Sequence, residues 1–176
     1  MILLICGSLR AGSGNAAVLG TAATFATTTT FDGLAELPHF NPDDDREPLH
    51  PAVAALRKQI GAAEALLFCT PEYAGGLPGS FKNLLDWTVG GGEIYGKPVA
   101  WINASSVAAP TGGADAHDSL RKVLTYAGAR IVEDACVRIP IPRDAVADGQ
   151  VTDPDLRGRI AVAVKRLREG AVPPAG

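Results

Sequence analysis

Residues 7 to 15 read Gly7-Ser-Leu-Arg-Ala-Gly-Ser-Gly-Asn15: glycines and hydroxyls with one arginine and one asparagine, just ahead of a segment rich in helix formers. These residue types suit an anion. The first turn of a helix carries unbonded amides and the positive end of its dipole. Ser8 and Ser13 add hydroxyl donors, Asn15 an amide, and Arg10 a forked cation, while Gly14 leaves the helix entrance open. The run lacks the G-x-G-x-x-G spacing of a dinucleotide loop and the Gly-Lys-Ser/Thr of a nucleoside-triphosphate loop. A single phosphate dianion therefore fits it better than a pyrophosphate. The same residues also describe a plain Gly/Ser turn capped by Ser13 with Arg10 in solvent, and the segment alone does not separate the two readings.

A second stretch, Thr70-Pro-Glu-Tyr-Ala-Gly-Gly-Leu-Pro-Gly-Ser-Phe-Lys-Asn83, has the make-up of a stiff loop that a flat ring can approach. Pro71 and Pro78 restrict the backbone, Gly75 and Gly76 let it come close to a ligand, and Tyr73 can pack on a ring. Glu72 reads equally as a cap or a surface charge. Trp87 reads as packing and Lys82 with Asp86 as a surface pair at i,i+4.

Other catalytic constellations are missing from the sequence. His39, His50 and His117 are far apart; His117, on the helix after the third loop, has two readings, a residue facing the site or, more simply, an exposed helix residue. There is no HExxH, no Cys/His metal spacing, no Gly-x-Ser-x-Gly and no C-x-x-C. Cys6, Cys69 and Cys136 fall in apolar runs and read as small buried hydrophobes in strands.

The elements that would position these loops follow from periodicity. Short apolar runs at 2–6, 65–70, 98–103 and 131–139, with a weaker Thr-rich run at 27–31, read as strands, most of them buried on both faces. Helical patterns at 13–25, 52–61, 78–89, 114–126 and 153–169 alternate with them. Residues 37–51 hold four prolines and the run Asp43-Asp-Asp45, which reads as a solvated surface loop. This alternation predicts one domain over 1–170, a doubly wound five-stranded parallel sheet in the order 2-1-3-4-5 with helices on both faces, and a flexible tail over 171–176. Ligands of such sheets bind beyond the carboxyl ends of the strands, at the switch between strands 1 and 3. The loops after Cys6, Cys69 and Asn103 are then the ones that matter.

The 176 residues carry a formal net charge of −3 and no basic run, which argues against nucleic-acid or acidic-membrane binding. No apolar stretch reaches a membrane span and no signal peptide is legible, so the expected location is the cytoplasm.

Gly7-Ser-Leu-Arg-x-x-Ser-x-Asn15 followed by Pro71-Glu-Tyr-x-x-x-x-Pro-Gly-x-x-Lys-Asn-x-x-Asp-Trp87 resembles the NADPH-dependent FMN reductase family, flavodoxin-like proteins whose relatives reduce chromate, quinones and azo dyes. The resemblance runs from residue 2 to about residue 137. It implies an FMN phosphate on Ser8, Arg10, Ser13, Gly14 and Asn15, and an isoalloxazine ring against Pro71, Glu72, Tyr73, Ala74 and Gly75, mostly through backbone atoms. Ser106, in the turn ahead of Gly112-Gly113, matches a further flavin contact. It also implies hydride transfer from NADPH or NADH through FMN to a small acceptor (quinone, flavin, azo compound or metal oxyanion), and a homodimer or homotetramer. No side chain needs to act as a strong acid or base. Two departures stand out: Ala74 replaces the common Asn, and the third loop is about one residue longer than usual. The rival expectations are a flavodoxin-type electron carrier and a non-enzymatic sensor of a phosphate-bearing ligand.

Overall fold

The computed structural model describes residues 1–106 and 109–172. Five strands build the sheet that the sequence predicts: β1 (Ile2–Cys6), β2 (Thr28–Phe31), β3 (Ala65–Cys69), β4 (Pro98–Asn103) and, in fifth place, β5 (Arg130–Ile131) continued by β6 (Val137–Arg138). The order is β2-β1-β3-β4-β5, all parallel. The helices are α1 (Gly14–Ala22), α2 (Pro51–Ala62), α3 (Gly79–Asp86), α4 (Ala114–Tyr126) and α5 (Pro154–Ala171).

The two-residue period of the strands divides the core. Leu3, Ile5, Leu66, Phe68 and Val99 pack with Val53, Leu56 and Ile60 of α2, Phe81 and Leu84 of α3 and Leu120 and Leu124 of α4. The alternate residues Ile2, Leu4, Leu67, Ala100 and Ile102 pack with Val18 and Leu19 of α1 and Ile160, Val164 and Leu167 of α5. Helices thus cover both faces, which is why the central strands are apolar without alternation.

The fifth strand departs from the sequence expectation. Glu133 and Asp134 interrupt the apolar run 131–139, and carboxylates cannot enter a strand covered on both faces. The chain instead makes a 3-10 turn, Glu133–Ala135, that carries them outward. Val99 pairs with Ile131 below the turn and Ile102 with Val137 above it, so the turn absorbs surplus chain and the ladder resumes. Cys136 consequently lies beside the turn rather than in a strand. Arg159 and Arg166 of α5 donate to the backbone carbonyls of Arg138 and Asp134 at 2.8 and 2.9 Å, satisfying groups on the sheet edge.

A small antiparallel hairpin, β7 (Val146–Ala147) and β8 (Gln150–Val151), sits against α1. The Thr21 hydroxyl accepts from the Val151 amide at 2.8 Å. Asp45 also differs from expectation. It forms an ion pair with Arg57 at 2.6 Å in which each side chain is only 10% exposed, while Arg57 also donates to the Trp87 carbonyl. Trp87 is core, as expected, and its indole donates to the Pro38 carbonyl. Ala171 closes α5, and the rest of the expected tail beyond Val172 lies outside the described residues.

Candidate functional site at the carboxyl edge of the sheet

Cys6 and Cys69 are register partners at the ends of β1 and β3, so the first and second loops leave the sheet side by side. The Gly7 amide donates to the Cys69 carbonyl at 2.9 Å. This close approach requires glycine, because a Cβ on Gly7 would meet Thr70 Oγ1 at 2.2 Å and Thr70 Cβ at 2.6 Å.

In the first loop Ser13 caps α1, its oxygen accepting from the Asn15 amide at 3.2 Å, and it is almost fully buried. Gly14 is the first helical residue. The Asn15 side chain donates to Ser13 Oγ and receives the Cys69 thiol at 3.2 Å, which ties the helix start to the top of β3. Burial pushes the Cys69 thiol well above its usual pKa, so it is a neutral donor there. Ser8 Oγ accepts from the Arg10 amide at 3.2 Å and holds the turn. The Arg10 side chain is exposed and takes no part in the ion pairs among the described residues. The structure therefore brings all five predicted first-loop residues together around a helix N-terminus with an unneutralised cation beside it.

The second loop opens at half-buried Pro71 and makes a two-residue hairpin turn. Tyr73 and Gly76 exchange both backbone hydrogen bonds, at 3.0 and 3.1 Å, across Ala74 (φ 51°) and Gly75 (φ 71°). The Tyr73 side chain is 53% exposed at the rim. A turn with two left-handed residues favours Asn–Gly, so Ala74 sits in a conformation that disfavours it by about 1 kcal/mol. Replacing Ala74 with Asn or Gly is expected to stabilise the fold by about 0.5 to 1 kcal/mol. A urea melt checks this, and unchanged or lower stability would mean the turn is not strained.

The third loop is organised by Asn103, whose amide donates to the Gly112 carbonyl at 2.9 Å and whose oxygen accepts from the Ser105 amide at 2.9 Å. Gly113 (φ 79°) caps α4. Ser106, the predicted flavin contact, is exposed, and its carbonyl accepts from the Ala109 amide. Val107 and Ala108, in the part of the loop read as unusually long, lie outside the described residues.

Glu72 reaches from the second loop to the third. One carboxylate oxygen accepts from the Thr111 hydroxyl at 2.5 Å, the other from the Ala116 amide in the first turn of α4 at 3.1 Å. The Thr111 hydrogen bond, with the helix amides, holds the carboxyl below its ordinary range. Thr111 was not singled out in the sequence; its hydroxyl also accepts from the Gly113 amide at 3.2 Å, a local turn for which a Thr in a Gly-rich loop is only a weak signal.

His117 is not the exposed residue that its sequence position suggested. It is 6% exposed, packed beside Trp101, with Nδ1 2.5 Å from the Gly113 carbonyl. Burial lowers its pKa, so the imidazole is neutral at pH 7, with Nδ1–H as donor and Nε2 unpartnered among the described residues. Among the described residues no cluster of His, Cys, Asp and Glu could hold a metal.

A family model described as NADPH-dependent FMN reductase matches residues 1–142. An NAD(P)H-dependent FMN reductase of Pseudomonas aeruginosa is 35% identical, over 95% of this chain and 92% of that protein. A quinone reductase of Escherichia coli K12 is 33% identical over 74% of this chain and 72% of its own length. The solved structure of FerB, a flavoenzyme NAD(P)H:(acceptor) oxidoreductase from Paracoccus denitrificans, superposes with a TM-score of 0.79 at 28% identity, covering 96% of this chain and 97% of that one.

Proposed function

We propose, from the premise that this chain belongs to the NADPH-dependent FMN reductase family, that its carboxyl-edge cleft holds FMN and passes hydride from NAD(P)H to a quinone. The observation that carries the placement is the convergence of three loops, after β1, β3 and β4, around the start of α1 and the exposed Arg10. In this reading Ser8, Arg10, Ser13, Gly14 and Asn15 hold the phosphate. Pro71, Glu72, Tyr73, Ala74, Gly75 and Ser106 border the ring.

The residues present fit that group. The Gly7 contact keeps the first loop low against β3, beside the start of α1, where the positive end of the helix dipole favours an anion. The hairpin turn at Tyr73–Gly76 carries no acidic or basic side chain, so what it can offer a flat ring is backbone groups and the Tyr73 ring. Bound FMN supplies the hydride chemistry. This chain positions it, excludes water on one side and offers dipoles, and His117 stays neutral beneath the third loop. The acceptor is proposed to be a quinone because a relative is a quinone reductase. Free Cys6, Cys69 and Cys136 fit a reducing compartment such as the cytoplasm. No helix among the described residues is long and apolar enough to cross a membrane. Exposed Leu9, Tyr73, Tyr95 and Tyr126 offer apolar surface for a homo-oligomer.

Titration of the apoprotein with FMN tests the placement. The wild type is expected to quench flavin fluorescence, and Arg10→Ala to bind about tenfold more weakly with an unchanged melting curve. Unchanged affinity in that variant would remove Arg10 from the site.

A further inference from the structure

The second and third loops come from different strands, β3 and β4, and their backbones are not paired by the sheet beyond its edge. What joins them is Glu72. Its two carboxylate oxygens take the Thr111 hydroxyl and the Ala116 amide, and Thr111 in turn accepts from the Gly113 amide at 3.2 Å. The turn of the second loop also lies against the first turn of α4, since a Cβ on Gly75 would come 3.9 Å from an Asp115 carboxylate oxygen. Both oxygens of Glu72 are thereby committed within the protein. Such a carboxylate at a helix N-terminus is favoured by the dipole as well as by its donors.

We propose that Glu72 and Thr111 are a positioning pair, a strut that sets the separation of the two loops bordering the proposed flavin slot, and that turnover depends on this strut. The inference rests on the flavin reading of the cleft, and it assigns the Glu72 side chain to the opposite loop rather than to the cofactor. Thr111 is the hinge of the arrangement. It donates to Glu72 and accepts from Gly113, whose left-handed φ of 79° starts α4 and whose Cβ, if present, would strike Ser105 at 2.2 Å. A displaced Thr111 therefore moves Ser105 and the Asn103-held turn together. Reactions that rely on orientation lose rate steeply with small misplacements, and a shift near 1 Å costs up to about a hundredfold.

The test uses Glu72→Ala, Thr111→Val, which keeps the shape and deletes the hydroxyl, Thr111→Ser, which keeps the hydroxyl, and the Glu72→Ala/Thr111→Val double variant. In apoprotein, hydrogen exchange of the Gly113 and Ala116 amides is expected to quicken about tenfold in Glu72→Ala and in Thr111→Val. In FMN-loaded protein, kcat for NADPH oxidation with a benzoquinone is expected to fall about tenfold, with KM for the quinone changed less than about twofold. Thr111→Ser restores both, and the double variant is no worse than either single one, because the two side chains act as one unit. Losses that multiply in the double variant, wild-type kcat in Thr111→Val, or no rescue by Thr111→Ser would each overturn the strut. A wild-type protein that takes up no FMN would contradict the flavin reading alone, and apoprotein exchange would still decide whether the strut exists.

Discussion

Replacing Gly7 with alanine is expected to abolish detectable FMN retention and to destabilise the fold by about 2 to 3 kcal/mol. The added Cβ would lie 2.2 Å from Thr70 Oγ1, 2.6 Å from Thr70 Cβ and 3.0 Å from Phe81 Cγ. Rotating the hydroxyl away relieves the first contact but not the second, because Thr70 Cβ is fixed by the backbone. Thr70 and Phe81 are both fully buried, so neither can retreat. The tops of β1 and β3 must separate instead, breaking the Gly7 to Cys69 hydrogen bond and lifting the first loop off the sheet. In the Gly7→Ala background, Thr70→Gly removes the opposing Cβ, and it is expected to recover part of the FMN affinity and of the stability. FMN titration and thermal melts of both variants check this. Full FMN affinity in the single variant would show that loop height does not matter to the site.

The largest stability effect away from the cleft is expected at Asp45. Arg57 is held by Asp45 and the Trp87 carbonyl, each side chain of the pair is only 10% exposed, and a Cβ on Gly90 would lie 1.8 Å from an Asp45 oxygen, so the pair is closely packed. Asp45→Ala leaves the guanidinium buried without its counter-charge. Breaking such a pair costs about 3 to 5 kcal/mol, more than any single surface contact. For a chain of this size about 3 kcal/mol lowers Tm by roughly 6 to 12 °C. Because a buried pair is worth little against an apolar pair of similar volume, Asp45→Leu/Arg57→Met is expected to melt closer to wild type than Asp45→Ala does. A single variant that melts within about 2 °C of wild type would mean that water reaches Arg57 and the pair is not structural.

What the sequence made legible was the periodic part of the molecule. The run 98–103 and the helix 114–126 were read with the boundaries observed, because each is flanked by strong breakers and keeps one period throughout. The sheet order followed from the alternation of strands and helices. The misses are places where one tertiary contact decides. Glu133-Asp134 should have broken the run 131–139, as two adjacent charges do not fit a strand covered on both faces. Asp148-Gly149, both with positive φ, is a hairpin-turn signal that marks β7 and β8. Arg57 lies at helical spacing with Val53, Leu56 and Ile60, and His117 with Leu120 and Leu124, so both were legible as inward residues. The partner of Arg57 was not, since Asp45 arrives from a loop whose path no local pattern encodes, whereas His117 meets Gly113 four residues back at the start of its own helix. The candidate site divides in the same way. The loop residues were found by type, but the Glu72–Thr111 contact joins positions 39 residues apart.

The most direct test of electron transfer from NAD(P)H through bound FMN to a quinone is the visible spectrum of the FMN-loaded protein under anaerobic conditions. Addition of NADPH or NADH is expected to bleach the flavin bands, and a benzoquinone added afterwards is expected to restore them. A flavin that stays oxidised with either nucleotide, or that bleaches and is not recovered by quinone, would contradict an NAD(P)H-to-quinone reductase.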